Sequence, residues 1–330
     1  MMKLKLPKTE NKGFVVVVVL CTIMALSVLL LGFNYQSRTS LRAVDDFRKS
    51  RQALNCARAG LNIAIAAINR AAGVRTNRTL SNALSGEKTF NIGDGDCSVT
   101  VIEENAKLNV NLLKDKSGSL NQTRVEQLLR LIDLLNEEQD GSFRISYDIA
   151  PSIIDWTDAD DQTTCLPFVK QENSGAESDY YGRLNTAYRC RNASLCAAEE
   201  LLPVKGITPE VFERIRDYIT VYGDGKISIN SAPKRIIESL SENMDSALAQ
   251  MIIDRRQLRP FESLAELRDI PGMTDSIYYA IKNAATINPA DRYYRVISRG
   301  NVDRLGCTID AIVRKNIRTK NVEVILYKEL

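Results

Sequence analysis

From Phe14 to Phe33 the chain reads "FVVVVVLCTIMALSVLLLGF", a run without a single charge. At a helical rise of about 1.5 Å per residue, about 20 apolar residues cover the roughly 30 Å hydrocarbon core of a bilayer. The run therefore predicts one transmembrane helix near the N-terminus. A cleaved secretory signal has a shorter apolar region and a small-residue cleavage site on its far side. Here "NYQSRTSLRAVDDFRKS" follows and reads as amphipathic helix, so the anchor is expected to stay attached. Ahead of the run, Lys3, Lys5, Lys8 and Lys12 stand against Glu10 alone. The positive-inside bias leaves this end in the cytoplasm and sends the rest outward.

The 330-residue chain leaves enough sequence beyond the anchor for a substantial core. The helix is expected to continue, because Leu41, Val44, Phe47, Leu54, Leu61, Ala64, Ile65 and Ile68 recur at helical spacing and form one stripe. That stripe needs a sheet to pack on. "KTFNI" and "CSVTVIEENAKLNVNLL" supply candidate strands, with Val99 and Val101, then Leu108, Val110 and Leu112, alternating around a turn at Asn105. Three more strands, "YYRVISRG", "CTIDAIVRK" and "NVEVILYKE", close the chain. The stretch between, Lys114 to Pro289, reads as mostly helical: "NQTRVEQLLRLIDLLNEEQ" is amphipathic with Asn121 or Thr123 as its cap, and shorter helices follow, broken by proline or glycine. The predicted class is α+β: a long N-terminal helix on a small antiparallel sheet, with a large helical domain inserted between strands.

One stretch carries evident site chemistry. Asp155, Asp158, Asp160 and Asp161 are crowded in "IIDWTDADDQ", with Glu177 and Asp179 following in "GAESDYY". Such crowding raises mutual repulsion unless a cation or solvent relieves it. Hard oxygens suit Ca²⁺, and a solvated acidic loop is the competing reading. There is no EF-hand frame. Trp156, Tyr180 and Tyr181 read as packing residues. The chain has no histidine and no C-x-x-C pair, which argues against zinc. Beyond Cys21 in the anchor, Cys56, Cys97, Cys165, Cys190, Cys196 and Cys307 permit fifteen full pairings or free thiols, with Cys190–Cys196 the most local candidate. Catalysis is not expected: there is no imidazole base, and the acids of "DWTDADD" share one short loop rather than opposing walls.

The junction Lys12-Gly13-Phe14 resembles the processing site of type IV prepilin-like proteins, which are cut after glycine and methylated on the new N-terminal phenylalanine. In most of them the fifth mature residue is glutamate; here that position is Val18. A carboxylate in an apolar helix costs about 3 kcal/mol unless compensated, as by a neighbouring subunit's terminal amine. A subunit with no neighbour above it has no amine to neutralise. With "EENAKLNVNLL", the acidic loop, "RNASLCAAEELLPVKGI" and "ISINSAPKRIIESL" followed by "FESLAELRDIPGM", the chain is similar to the protein K family of minor pseudopilins of the type II (general) secretion system. The resemblance implies a prepilin leader over 1–13 and an inner-membrane and filament-core helix over 14–34. It further implies a pilin-like periplasmic domain of 35–113 with 290–330, and an inserted helical domain over 114–289. It implies a place at the pseudopilus tip, where assembly starts, and structural Ca²⁺ held by the acids named above. The implied partners are minor pseudopilins I and J, the major pseudopilin and prepilin peptidase, without nucleic acid.

An alternative starts from "AEELLPVKGIT" and "LAELRDIPGMT". Each resembles half of a helix-hairpin-helix, the phosphate-cradling element of membrane-anchored DNA-uptake proteins. The second glycine of such a cradle is replaced by Thr208 and Thr274, and nearby Lys205, Arg214, Arg216, Arg255, Arg256 and Arg259 are interleaved with acids. The net charge of +3 adds no general attraction to nucleic acid.

Overall fold

The structure, a computed structural model, describes residues 12–71, 86–115, 118–137, 144–171 and 173–330; residues 1–11 of the expected leader lie outside these. Helix α1 (Lys12–Ala71) runs 60 residues without a break, and no proline interrupts it. Within its apolar run, Thr22 Oγ1 donates to the Val19 carbonyl and Ser27 Oγ to that of Ile23, both at 2.8 Å, so no hydroxyl there is left unpaired. Gly13 to Arg48 is exposed throughout, and full burial begins at Ala53. The apolar stripe is therefore split. Leu54, Leu61, Ala64 and Ile68 are buried and Ile65 is half-buried, while Leu41, Val44 and Phe47, ahead of the first buried residue, are exposed.

The remaining elements are, in chain order, β1 (Lys88–Ile92), β2 (Gly95–Glu103), β3 (Leu108–Asn109), α2 (Gln122–Glu137), α3 (Ile149–Thr157), α4 (Ser178–Tyr181), α5 (Pro209–Ile215), β4 (Ile219–Thr220), β5 (Ile227–Ser228), α6 (Lys234–Ser239), α7 (Ser246–Leu258), α8 (Asp275–Ile281), β6 (Ala285–Thr286), β7 (Asp291–Val302), β8 (Leu305–Asn316) and β9 (Val322–Glu329). The main sheet has the order β1-β2-β7-β8-β9 and is antiparallel throughout. The helical body thus leaves after β2 and returns before β7, as the sequence predicts. One strand differs. Leu108 and Val110 alternate like a continuation of the sheet, yet β3 pairs in parallel with β4, and both side chains are buried in the core of the helical body.

Small residues let α1 lie close on the sheet. A Cβ on Gly300 would fall 2.1 Å from the Ala53 carbonyl oxygen, and Ser298 Oγ donates to the Ala57 carbonyl at 2.8 Å. At the far end Lys315, 1% exposed, donates from Nζ to the carbonyls of Ile68 and Asn69, each at 2.9 Å. A buried cation there satisfies terminal carbonyls and faces the negative end of the helix dipole.

The helical body is built from two like halves. Gly206 and Gly272 both take positive φ, +81° and +86°, and Thr208 and Thr274 cap the helices that follow, accepting from Val211 N and Ile277 N. Each of those helices leads into a two-residue strand, β4 or β6, paired in parallel with β3 or β5. Positive φ favours glycine because a Cβ is strained there. The equivalent residues keep one constant offset from Leu195/Phe261 to Ile219/Ala285. The first half alone carries the acidic loop between its helix α3 and Leu195.

The body is joined to the sheet by polar contacts. Asn105 Oδ1 accepts from Tyr293 N at 2.7 Å on the sheet side, while Asn109 Nδ2 donates to the carbonyls of Tyr222 and Gly223 at 3.0 and 2.9 Å on the body side. Buried Glu104 accepts from Lys107 Nζ at 2.9 Å and from Thr220 Oγ1 at 2.5 Å. Glu199 of the body takes Arg295 of β7 at 3.2 Å and Lys328 of β9 at 3.1 Å, and Arg295 also grips Asp310 of β8.

Candidate functional site: an acidic loop on helix α3

Helix α3 is placed by its apolar residues. Ile149, Ala150, Ile153 and Ile154 are fully buried in the larger core, which carries Asp155 and Trp156 inward at the end of the helix. Thr157 Oγ1 closes the last turn on the Ile153 and Ile154 carbonyls, and at Asp158 the backbone turns extended. The loop then folds back. Asp155, 0% exposed, accepts from Thr164 N at 2.9 Å on Oδ1 and 3.2 Å on Oδ2. Gly175 passes so close that a Cβ on it would lie 2.0 Å from Asp155 Oδ2. An aromatic wall backs the site: Trp156 meets Tyr181 edge-on at 5.0 Å, and Tyr181 stacks on Tyr188 at 5.2 Å. Trp156 and Tyr181 are core residues as predicted, whereas Tyr180 is 42% exposed.

Of the six predicted acids, three are brought together. Asp155, Asp158 and Glu177 each present one oxygen within 4.8 Å of the others. Glu177 is 4% exposed, and among the described residues both its carboxylate oxygens, with Asp158 Oδ1, are buried without a hydrogen-bond partner. Lys114 Nζ pairs with Asp158 Oδ2. Burial, reinforced by the charges of Asp155 and Asp158, pushes the Glu177 carboxyl up to about 7. Burial likewise pushes Asp155 up to about 6, against the pull of its hydrogen bonds from Thr164. Asp158 is raised by burial, with Lys114 opposing.

The other three acids face solvent. Asp160 accepts from Gln162 N at 2.9 Å, Asp161 accepts from Asn192 Nδ2 at 3.3 Å, and Asp179 lies 3.9 Å from Arg183. Cys190 and Cys196 are not bridged: the buried Cys190 thiol donates to the Asp155 carbonyl at 3.3 Å, and Cys196 is exposed with Arg191 Nη2 on its sulfur. Sequence reasoning missed Lys114, Thr164 and Gly175, which reach the site only through the tertiary fold.

The donor set fits a hard divalent cation. Carboxylate oxygens left unpartnered in a buried pocket want a positive charge, and glycine at 175 lets the loop pack directly on Asp155, where any side chain would collide with it. At the other end of the molecule, Gly13 and Phe14 lie in the first turn of α1, with Phe14 71% exposed, and Val18 sits one turn on in the apolar run.

Among the described residues one helix is long and apolar enough to cross a membrane, and it continues onto an antiparallel sheet that carries an inserted helical body, an α+β architecture of the pilin-like class. Two family models described as "Type II secretion system (T2SS), protein K" match residues 106–224 and 227–288, one for each half of the helical body. The chain belongs to the type II secretion system protein K family. It is 25% identical over 184 residues to the type II secretion system protein K of Pectobacterium carotovorum subsp. carotovorum, 54% of this chain and 51% of that one. The chain thus matches about half the length of this curated relative. Among solved structures it is similar to a chain of the GspK-GspI-GspJ complex from the enterotoxigenic Escherichia coli type 2 secretion system. There the TM-score is 0.66 and the identity 18%, covering 89% of this chain and 99% of that chain. At that identity the likeness establishes the fold.

Proposed function

We propose that this chain is a minor pseudopilin that caps the tip of the pseudopilus and helps to start its assembly for export across the outer membrane. The observation that carries the reading is that α1 runs unbroken from an exposed apolar anchor to the sheet. One rod can then span the inner membrane, with its N-terminus cytoplasmic and its body periplasmic, and later enter a filament core. Prepilin peptidase cuts after Gly13 and methylates Phe14. Val18 in place of an acid needs no amine from a subunit above, and the helical body beside the sheet obstructs a neighbour stacked there. Minor pseudopilins I and J and the major pseudopilin are the partners. The similar solved structure is of a GspK-GspI-GspJ complex, which supports that partnership. The division into leader 1–13, anchor 14–34, pilin-like 35–113 with 290–330, and inserted 114–289 belongs to the same reading.

The role is mechanical rather than catalytic. Asp155, Asp158 and Glu177 would hold Ca²⁺, whose charge lets three buried carboxylates remain ionised and ties the loop to α3. Thr164 N orients Asp155, and the Trp156–Tyr181–Tyr188 wall excludes water behind it. The DNA-binding alternative gains no support. Arg216, Arg255 and Arg259 pair with Glu213, Glu266 and Glu262, while Arg256 donates to the Ile229 carbonyl, so no phosphate-facing stripe is left.

Gly13→Ala tests the processing step. The variant is expected to run longer than wild type on a gel, and equal mobility overturns cleavage after Gly13. Val18→Glu is expected to impair filament initiation while leaving membrane insertion intact. Normal secretion with that change counts against the tip position.

A further inference from the structure

We propose that Lys114 is a positioning residue that sets the charge of the acidic site and leaves Asp158 one oxygen to give, matching the site to a divalent ion. The proposal rests on the cation-site reading above and concerns a residue outside the acidic loop.

The fold brings Lys114 from well before α3. Its backbone is fixed by a bridge to Leu120, with Asn121 N donating to the Leu113 carbonyl at 2.8 Å, so the side chain is delivered to one place. From there Nζ takes Asp158 Oδ2 and lies 3.7 Å from Asp160. Asp158 Oδ1 is left buried without a partner, as are both oxygens of Glu177. An ammonium locked on one carboxylate oxygen prevents Asp158 from turning both oxygens to a metal. Three carboxylates and one ammonium leave two negative charges, which a single divalent ion cancels. Asp160 is half-exposed and solvent screens it. Without Lys114 the site keeps a third negative charge in a buried setting, where charge interactions are strong, and a trivalent ion gains most from that change.

The test uses the full chain in detergent. Ca²⁺ binding is measured by calorimetry and Tb³⁺ binding by luminescence sensitised through Trp156, the neighbour of Asp155. Lys114→Met is expected to raise the ratio of Tb³⁺ to Ca²⁺ affinity about tenfold. Lys114→Arg, which keeps the charge, is expected to leave that ratio within about twofold of wild type. Should Lys114→Met fail to fold, Lys114→Gln removes the charge while keeping a donor to Asp158, and the same rise is expected. A wild-type protein that binds both ions with an unchanged ratio in the charge-removing variants overturns the role of Lys114 alone. A wild-type protein that binds neither ion, and matches Asp155→Asn in both assays, overturns the site reading and this proposal with it.

Discussion

Asn111 and Asn230 perform the same task in the two halves of the helical body. Asn111 accepts from Leu195 N at 2.8 Å and donates back to the Leu195 carbonyl at 2.9 Å; Asn230 accepts from Phe261 N and donates to the Phe261 carbonyl, both at 2.9 Å. Each side-chain amide imitates one rung of a β-ladder and holds the segment that enters the next helical turn. Removing either leaves a backbone N–H and C=O unpaired away from free solvent. Asn111→Ala and Asn230→Ala are each expected to destabilise the body by about 1–3 kcal/mol in denaturant unfolding. A loss confined to one of them would contradict the equivalence of the halves.

Gly175→Ala tests how tightly the loop is wrapped on α3. The added Cβ meets Asp155 Oδ2 at 2.0 Å, with the Pro151 carbonyl at 2.8 Å behind it, so the loop must move. A loss of about 1–3 kcal/mol is expected, together with weaker Ca²⁺ binding by calorimetry. Wild-type stability and binding would show that the contact is not made.

Metal-free protein should show a pH dependence of definite sign. Glu177 is raised to about 7 and Asp155 to about 6, against ordinary carboxylate values near 4. The folded state then holds protons that the unfolded state has released, so stability in chelator falls as pH rises from about 4 to about 7. Below that window both states are protonated and these groups contribute no slope. Added Ca²⁺ should restore stability at pH 7. Thermal unfolding that is flat across the window in chelator, and unmoved by Ca²⁺, would contradict the ligand set.

Glu199 anchors the helical body to two strands of the sheet at once. Its side chain is 38% exposed, so each ion pair is modest, and Glu199→Gln is expected to cost about 1 kcal/mol or less in global stability. The larger effect should be local: faster hydrogen exchange in β9 and around Leu201, growing with salt in wild type. Unchanged exchange would assign the junction to Asn105, Asn109 and the Tyr222–Tyr293 stack instead.

Much of this architecture is legible in the sequence where a pattern is local. The anchor follows from an uncharged run, and β2 from the alternation of Val99 and Val101, while β7, β8 and β9 follow from short runs rich in branched and aromatic residues set off by turn segments. Leu108 and Val110 mislead because a strand alternates in the same way whichever sheet it joins; pairing with Ile219, far along the chain, places them in the helical body. The exposure of Leu41, Val44 and Phe47 is equally invisible, since the stripe does not say where the sheet begins. Crowding located the acidic loop. It could not separate Asp155 and Asp158 from Asp160 and Asp161, because their burial depends on where α3 ends. Lys114 and Gly175 carry no local signal at all.

The central claim is that the apolar helix begins at a peptidase cut and belongs to the first subunit of a filament. Intact-mass measurement of the protein extracted from membranes tests it most directly. The account predicts a chain beginning at Phe14 and carrying one additional methyl group. A polypeptide that still begins at Met1 would contradict it.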